Sequence, residues 1–267
     1  MKKIITLVLS AIMAIVAVFS MTACNPDDGK TLYVYTNAGF APYEYINDKG
    51  EVVGVDIDVM KEVGEVLGYK VVINDIEFNQ ILVEVAKNPN AVGAAGMTKK
   101  PDRDAVALAS ISYATSVQYA IVPTGTFTSA DLVDGKLPVS KLATLSKKSI
   151  GVQEGTTGNF LIEDAVAEEG DLGTDFACMT YTNAIVASQD IGTTLGAVVI
   201  DKLPAESITS SSANLECFEL VADVEEYVLY FNSQASELVE KVNKILEKMI
   251  AGGVIDYYTL KHSGGIL

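Results

Sequence analysis

Segments with strand and helix patterns alternate along the chain from residue 31, and this alternation limits the possible fold more than any other feature. Residues 31–36 alternate as a strand, residues 70–74 are rich in strand-forming side chains, and residues 91–96 form a third strand pattern. Two helices are predicted between them, one that Asp56 caps and one over residues 78–87. This order is typical of a parallel sheet with covering helices.

The pattern starts again after a long apolar passage over residues 113–123 and a looser stretch over residues 124–148. Strand and helix segments alternate a second time over residues 149–153, 156–168, 175–181, 183–191, 196–201 and 215–221. In the first of these helices, Phe160, Leu161 and Val166 are predicted to face inward. Two more helices are predicted over residues 236–251 and 254–260, the first with one apolar stripe. The chain is therefore predicted to form two α/β units, with the second starting near residue 124.

The N-terminus has the pattern of an export signal. Lys2 and Lys3 precede a charge-free apolar stretch over residues 4–23, and Cys24 follows small residues and stands just before a polar segment with a proline. The segment resembles the lipobox of bacterial lipoproteins. We therefore predict a signal peptide over residues 1–23, lipidation of Cys24 and a linker over residues 24–30, which would anchor the protein to the outer face of the cell membrane. An uncleaved transmembrane anchor is the alternative.

Charge and residue usage exclude several classes of function. The chain has 35 acidic and 19 basic residues, so nucleic acid and anionic lipid headgroups are not expected partners. The single histidine, His262, excludes a multi-histidine metal site, and we predict neither a metal nor a cofactor. Cys178 and Cys217 fall on predicted strands that are not neighbours, so we expect two free, buried thiols.

The only arginine, Arg103, follows a strand end, with Thr98 between them. A guanidinium, a hydroxyl and free backbone N–H groups at such a place could grip a carboxylate. Ligands of open α/β sheets bind beyond the carboxyl ends of strands, and clefts between domains are frequent pocket sites. The alternative is a solvated arginine in a turn built on Pro101.

Three other groups follow strand ends. Thr156 and Thr157 open a helix, where N–H groups favour an anion, although a simple threonine cap explains them equally well. Asp201 ends an apolar strand and suits an ammonium group, a helix cap over residues 202–208, or both. Aromatic side chains follow strand ends in the first unit, at Phe40, Tyr43 and Phe78. Together these groups match an α-amino acid, with its carboxylate on the arginine and its ammonium on the aspartate.

The order of motifs resembles bacterial extracellular solute-binding protein family 3, the amino-acid receptors of ATP-driven uptake systems. The likeness covers about residues 31–263, and it is carried by the segments 37–45, 54–58, 95–103, 151–158, 201–205 and 225–227. The resemblance implies a two-lobed, type II periplasmic-binding-protein-like fold with two parallel or mixed sheets and two hinge crossings, at residues 119–122 and 226–229. It implies a discontinuous lobe 1 (31–118 plus 229–267), a lobe 2 (119–228) and a monomer that closes on its ligand and works with an ABC transporter permease.

The resemblance also assigns roles to individual residues. Arg103 and Thr98 would hold the α-carboxylate together with backbone N–H groups near Thr156 and Thr157. The Gly96 carbonyl and Asp201 would receive the α-amino group, and Met97 belongs to the same binding segment. The ligand would lie between Phe40 and Phe78, beside Tyr43, with Asn37 and Gln153 facing its side chain. These two amides lead us to expect a polar, uncharged amino acid.

Two features leave alternatives open. Lys99 and Lys100 stand where the family usually has an apolar residue and a threonine, so Lys100 either alters the pocket or points to solvent. Glu44 and Glu154 are candidate acid–base groups if the chain is an exported enzyme on the same fold, such as a dehydratase. A sensory ligand-binding protein is the third possibility.

Overall fold

The computed structural model describes residues 30–264, so the predicted signal peptide, Cys24 and most of the linker lie outside the described residues. The strands are β1 (Thr31–Thr36), β2 (Tyr45–Ile46), β3 (Val52–Val53), β4 (Lys70–Asp75), β5 (Ala91–Gly93), β6 (Leu108–Ala109), β7 (Ala114–Ser116), β8 (Gln118–Pro123), β9 (Ser149–Gln153), β10 (Ala177–Tyr181), β11 (Ala197–Asp201), β12 (Leu215–Glu219), β13 (Glu225–Tyr227) and β14 (Tyr230–Phe231). The α-helices are α1 (Val55–Leu67), α2 (Ile81–Val85), α3 (Pro101–Asp104), α4 (Thr157–Ala165), α5 (Ala184–Ser188), α6 (Lys202–Ser210), α7 (Ser236–Ala251) and α8 (Val254–His262).

Two mixed sheets divide this part of the chain into two lobes. The first sheet has the order β4-β1-β5-β14-β6, with β5 parallel to β1 and β14 antiparallel to β5. The second has the order β10-β9-β11-β8-β12, with β9, β10 and β11 parallel and β8 antiparallel to both of its neighbours. We call the parts built on these sheets lobe 1 and lobe 2. The predicted α/β class with two mixed sheets is confirmed.

A short antiparallel pair, β7 with β13, lies between the two sheets along both passages of the chain. Residues 119–122, which we expected to form one crossing, belong instead to β8 and pair with β11 and β12. After β13 the chain returns to the first sheet as β14, and the last helix reaches α1 through an ion pair of 2.5 Å from Lys261 Nζ to Asp58 Oδ2. The C-terminal segment is thus tied to the helix that follows β3.

Several element boundaries differ from the prediction, and burial explains them. Asp56 does not cap α1, whose N-cap is Gly54, because its carboxylate is fully buried and accepts hydrogen bonds from Gly96 N and Tyr113 Oη. The predicted helix over residues 78–87 is a 3₁₀ turn followed by the short α2, and the strand over 91–96 ends at Gly93. In α4 the inward face is formed by Gly158, Asn159, Ile162 and Ala165.

Phe160 is 36% exposed, so its predicted inward position is wrong. The predicted amphipathic helix over 236–251 is confirmed, and its apolar stripe is buried.

Cys178 and Cys217 are free, as predicted, and lie on β10 and β12 at opposite edges of the second sheet. Both are half-buried, which corrects the expectation of buried thiols. No helix among residues 30–264 is long and apolar enough to cross a membrane.

Candidate ligand-binding site

A small, largely enclosed cavity lies between the lobes, at the carboxyl ends of their strands. Ten of the twelve predicted site residues line it, and Glu44 and Ala95 complete the wall; the predicted ten are Asn37, Phe40, Phe78, Gly96, Thr98, Arg103, Gln153, Thr156, Thr157 and Asp201. Met97 and Tyr43 do not line it. Met97 is 1% exposed and packs into the core of lobe 1, and Tyr43 lies behind Phe40, where its ring meets Tyr227 edge-on at 5.0 Å.

Arg103 is a buried cation on the short helix α3. Its side chain is 6% exposed, and its guanidinium donates from Nη1 to Thr98 O at 2.8 Å and from Nη2 to Gly155 O at 3.1 Å. Burial lowers the pKa of Arg103, and nearby Tyr230 and acidic groups oppose that effect. No carboxylate within residues 30–264 lies at ion-pair distance from it. A buried guanidinium whose partners are carbonyls retains N–H groups and a full charge for an anionic ligand.

Asp201 is a buried acid on the lobe 2 side of the cavity. It ends β11, is 5% exposed, and accepts a hydrogen bond of 2.6 Å from Tyr227 Oη at its Oδ1. It occupies the N-cap position of α6, but its side chain makes no capping bond, so the helix-cap alternative does not describe it. Burial, and after it the negative charge of Glu225, raises the pKa of Asp201 to about 7. A cationic group entering the cavity would favour its ionised form.

The two threonines of the turn before α4, Thr156 and Thr157, have different hydrogen-bond partners. Thr156 Oγ1 accepts from Asn159 N and donates to Gln153 O at 2.8 Å, so this hydroxyl is a helix cap. The Thr157 hydroxyl donates to Glu225 Oε2 at 2.8 Å. The backbone N–H of Thr157 makes no hydrogen bond within the described chain, as is usual for the first residue of a helix. That N–H group is the donor which the turn offers to an anion.

The lobe 1 loop after β5 requires a glycine. Gly96 has φ of 51°, and a Cβ there would lie 2.6 Å from Phe40 Cε1. The Gly96 N–H donates to the buried Asp56, and this bond fixes the loop. The Gly96 carbonyl stays available for other contacts. Asp56, expected as a helix cap, therefore supports the binding loop from behind.

Asn37 and Gln153 join the lobes at one end of the cavity. Gln153 Nε2 donates to Asn37 Oδ1 at 2.8 Å, and Asn37 Nδ2 donates to Ile76 O at 2.7 Å. The Oε1 atom of Gln153 accepts no hydrogen bond from residues 30–264 and remains available to a ligand.

Glu44 is a cavity residue that the sequence did not assign to binding. It is 1% exposed, and its Oε2 has no hydrogen-bond partner among the described residues. Burial raises the pKa of Glu44 well above its usual value, and the charges of Asp56 and Asp201 raise it further. Its surroundings therefore disfavour the ionised form of this carboxyl group while no cation is present. Glu154, the other acidic candidate, is exposed and does not line the cavity.

Lys99 and Lys100 do not line the cavity. Lys99 is exposed, and Lys100 Nζ lies 3.9 Å above the ring centroid of Phe160 in lobe 2. This cation–π contact crosses from one lobe to the other beside the cavity. The two lysines therefore leave the chemistry of the cavity unchanged, and Lys100 contributes to the contact between the lobes.

The two-lobed fold and the cavity between the lobes agree with what comparisons with known proteins find. A family model for bacterial extracellular solute-binding proteins, family 3, matches residues 32–264. The arginine-binding extracellular protein ArtP of Bacillus subtilis is 25% identical over 270 residues, 96% of each chain. An ancestral arginine-binding protein, solved with arginine, is 27% identical, with a TM-score of 0.75 over 87% of this chain and 98% of that one. AncCDT-1, an ancestral amino-acid-binding protein and precursor of cyclohexadienyl dehydratase, shares the fold at 22% identity, with a TM-score of 0.74 over 88% and 96%.

Proposed function

The chain belongs to the bacterial extracellular solute-binding proteins, family 3, and on that premise we propose that it captures a free α-amino acid between its lobes and delivers it to an ABC importer. The observation that carries the proposal is Arg103, a buried guanidinium without a carboxylate partner in the described chain. On the opposite lobe, Asp201 offers a buried carboxylate to the same cavity. An α-amino acid supplies both missing charges at once.

Capture is proposed to occur by closure of the lobes. The hydrogen bonds from Arg103 to Gly155 and from Gln153 to Asn37 join lobe 1 to lobe 2 directly at the cavity wall. Binding energy would shift the molecule toward this closed arrangement, which the transporter can distinguish from an open one. In this proposal, lobe 1 comprises residues 31–118 plus 229–267, and lobe 2 comprises residues 119–228.

We propose a cationic side chain for the ligand, with arginine as the first candidate. The cavity wall offers acceptors: Glu44 Oε2 and Gln153 Oε1 have no donor among residues 30–264. Phe40 and Phe78 supply aromatic faces beside them, and such faces attract guanidinium groups. The neutral amides that favoured a polar, uncharged ligand are bonded to each other, and arginine is the ligand in the names of the related proteins. A polar, uncharged amino acid remains the competing outcome.

A ligand screen tests the proposed function directly. The purified protein is heated with each of the twenty amino acids, and the unfolding midpoint is followed. L-arginine is expected to raise it most, because a ligand present at about a thousand times its Kd adds roughly 4 kcal/mol of stability. Calorimetry then gives the Kd of each responding amino acid. If none of the twenty raises the midpoint, the proposed function is wrong.

Glu44→Gln is expected to separate cationic from neutral ligands. The carboxyl group that would ionise against a guanidinium is lost, so L-arginine should bind about tenfold to a hundredfold more weakly, while L-glutamine should change by less than about threefold. Calorimetry on both ligands measures the difference, and the exposed Glu65→Gln is the matched control. An equal loss for both ligands would contradict the proposed side-chain specificity.

The cellular setting is also part of the proposal. Removal of residues 1–23 and lipidation of Cys24 would hold the protein at the outer face of the cell membrane, within reach of a permease. Metabolic labelling with a fatty-acid analogue tests the anchor: a Cys24→Ala variant should carry no label. Gene neighbours that encode a permease and an ATPase would support transport over sensing.

An exported enzyme on the same fold is the second candidate, because the dehydratase precursor shares the fold and Glu44 lies in the cavity. We propose binding without turnover, since the opposite charges of Arg103 and Asp201 in the cavity match the two charged groups that all α-amino acids share. Incubation with L-arginine and with a cyclohexadienyl acid, followed by product analysis, separates the two candidates.

A further inference from the structure

Tyr227 lies in the hinge beside lobe 1, and its hydroxyl reaches the buried acid of lobe 2. Its strand β13 pairs with β7, and the residue forms a bridge with Thr98 in the lobe 1 loop after β5. Its carbonyl accepts a hydrogen bond of 3.0 Å from Tyr113 N. Its Oη donates to Asp201 Oδ1 at 2.6 Å. One residue thus connects the lobe 1 loop with the carboxylate that lobe 2 offers to the cavity.

The ring of Tyr227 is held on several sides, so its hydroxyl has a fixed position. The residue is fully buried and does not line the cavity. Its ring centroid lies 5.0 Å from that of Tyr43 and 6.4 Å from that of Phe40, which forms part of the cavity wall. A ligand in the cavity would therefore meet Phe40 and Asp201, while Tyr227 stands behind both.

Asp201 depends on hydrogen bonds to keep its negative charge. No basic group within residues 30–264 lies at ion-pair distance from it. Burial and then the charge of Glu225 raise the pKa of Asp201, and the hydrogen bond from Tyr227 is the strongest of the interactions that lower it. Besides Tyr227, Asp201 faces the carboxyl groups of Glu225 and Glu44, the guanidinium of Arg103, the phenol of Tyr43, and the side chains of Gln118 and Ser116.

Gln118 and Ser116 have other hydrogen-bond partners. Gln118 Nε2 donates to Glu225 Oε1 at 2.7 Å, and Ser116 Oγ donates to a backbone carbonyl at 3.4 Å. Glu225 accepts from Gln118 and from two threonine hydroxyls, so it adds negative charge beside Asp201 rather than a donor. The Tyr227 hydroxyl is therefore the group that supports the Asp201 carboxylate by a short, direct hydrogen bond.

We propose that Tyr227 is a positioning residue for the ligand's α-ammonium group, because its hydroxyl holds Oδ1 of Asp201 and leaves Oδ2 to the ammonium. The inference rests on the proposed function and adds to it a residue that the ligand does not touch. A carboxylate has lone pairs on both oxygens, so the protein can hold one oxygen while the other meets the ligand. Because Tyr227 is bridged to the lobe 1 loop that leads to Arg103, it also fixes the acid of lobe 2 relative to the guanidinium of lobe 1.

Tyr227→Phe tests the proposal, because it removes the hydroxyl and keeps the packed ring. At pH 7 the variant should bind L-arginine about tenfold more weakly, since a hydrogen bond to a charged group is lost. Its affinity for 5-guanidinopentanoic acid, which has no α-amino group, should fall by less than about threefold. Calorimetry measures both ligands. Tyr119→Phe, which removes a hydroxyl near Glu219 in lobe 2, is the control and should change neither affinity.

Two further measurements separate a positioning role from a general loss of stability. In an Asp201→Asn protein, Tyr227→Phe should weaken L-arginine by less than about threefold, because the carboxylate through which it acts is gone. In proteins that carry Glu44→Gln, so that Glu44 cannot titrate, Tyr227→Phe should raise the pH at which arginine affinity is half lost by about one unit. The shift is upward because the hydroxyl favours the ionised carboxylate, and without it Asp201 ionises at a higher pH.

The outcomes distinguish this inference from the proposed function. If the unmodified protein binds no amino acid, both fail together. If it binds L-arginine and Tyr227→Phe weakens arginine and its deaminated analogue equally, or weakens neither, the proposed function stands and the role of Tyr227 is wrong. The same conclusion follows if the full loss persists in the Asp201→Asn protein, or if the phenylalanine variant does not fold, because the hydroxyl then supports the fold. If another amino acid binds best, its own deaminated analogue is used in the same experiment.

Discussion

Replacing Arg103 with alanine is expected to weaken amino-acid binding by at least two to three orders of magnitude. The ligand's α-carboxylate would be left in a closed cavity without its cation, and removing one partner of a buried ion pair costs about 3–5 kcal/mol. The backbone carbonyls of Thr98 and Gly155 would lose their donor at the same time. Calorimetric titration with L-arginine measures the loss.

Two variants calibrate that result. Lys99→Ala removes an exposed positive charge a few residues away and should leave the Kd nearly unchanged. Arg103→Lys keeps the charge but cannot reproduce the planar fork of donors. Its affinity should therefore lie between those of the Lys99→Ala and Arg103→Ala proteins. A Kd for the Arg103→Ala protein within about threefold of the original would exclude Arg103 as the carboxylate partner.

Replacing Asp201 with asparagine is expected to have the second largest effect. The variant keeps the size of the side chain and an acceptor for Tyr227, but it leaves the ligand's ammonium without a countercharge. We expect about a hundredfold loss of affinity at pH 8, where the original carboxylate is ionised. The exposed Asp223→Asn is the control for a general loss of negative charge.

The same variant should also lose most of the pH dependence of binding. In the original protein the pKa of Asp201 is raised to about 7, first by burial and then by Glu225. A cationic ligand binds the ionised form, so affinity should be level above that pH and should fall by up to about tenfold per unit below it. Tyr43 and Tyr227 also face this carboxylate, and burial raises the pKa of both phenols. Burial raises the pKa of Glu44 as well, so the profile is measured in the Glu44→Gln background, where Glu44 cannot contribute a second titration. A steep pH profile that survives in the Asp201→Asn protein would contradict this origin.

The fold was largely predictable because its elements follow local patterns. The alternation in β1 and the apolar stripe of α7 each determine one buried face, and those elements agree with the sequence. The failures have tertiary causes. Asp56 has the residue type of a helix cap, but burial behind the Gly96 loop gives it different partners. Phe160 fits a core position by type, yet in α4 it faces Lys100 of the other lobe.

The candidate site was predictable where single residue types imply one chemistry. A lone arginine and an acid at a strand end point to opposite charges on a ligand, and both line the cavity. Glu44 was named only as a candidate acid–base group and Glu225 was given no role, because what each residue does depends on which atoms surround it. Glu44 lies between two tyrosines in sequence, and Glu225 lies in a segment with ordinary strand character. Only the absence of a donor near the first, and the three donors around the second, reveal their parts in the site.

The bond from Arg103 to Gly155 has a consequence for the kinetics of binding. Its donor and acceptor lie in different lobes, so it exists only when the lobes are together. A ligand that approaches separated lobes meets the guanidinium with Nη2 still free, and the bond forms after the ligand is in place. Changes to the 153–157 turn should therefore alter the dissociation rate of the amino acid far more than its association rate.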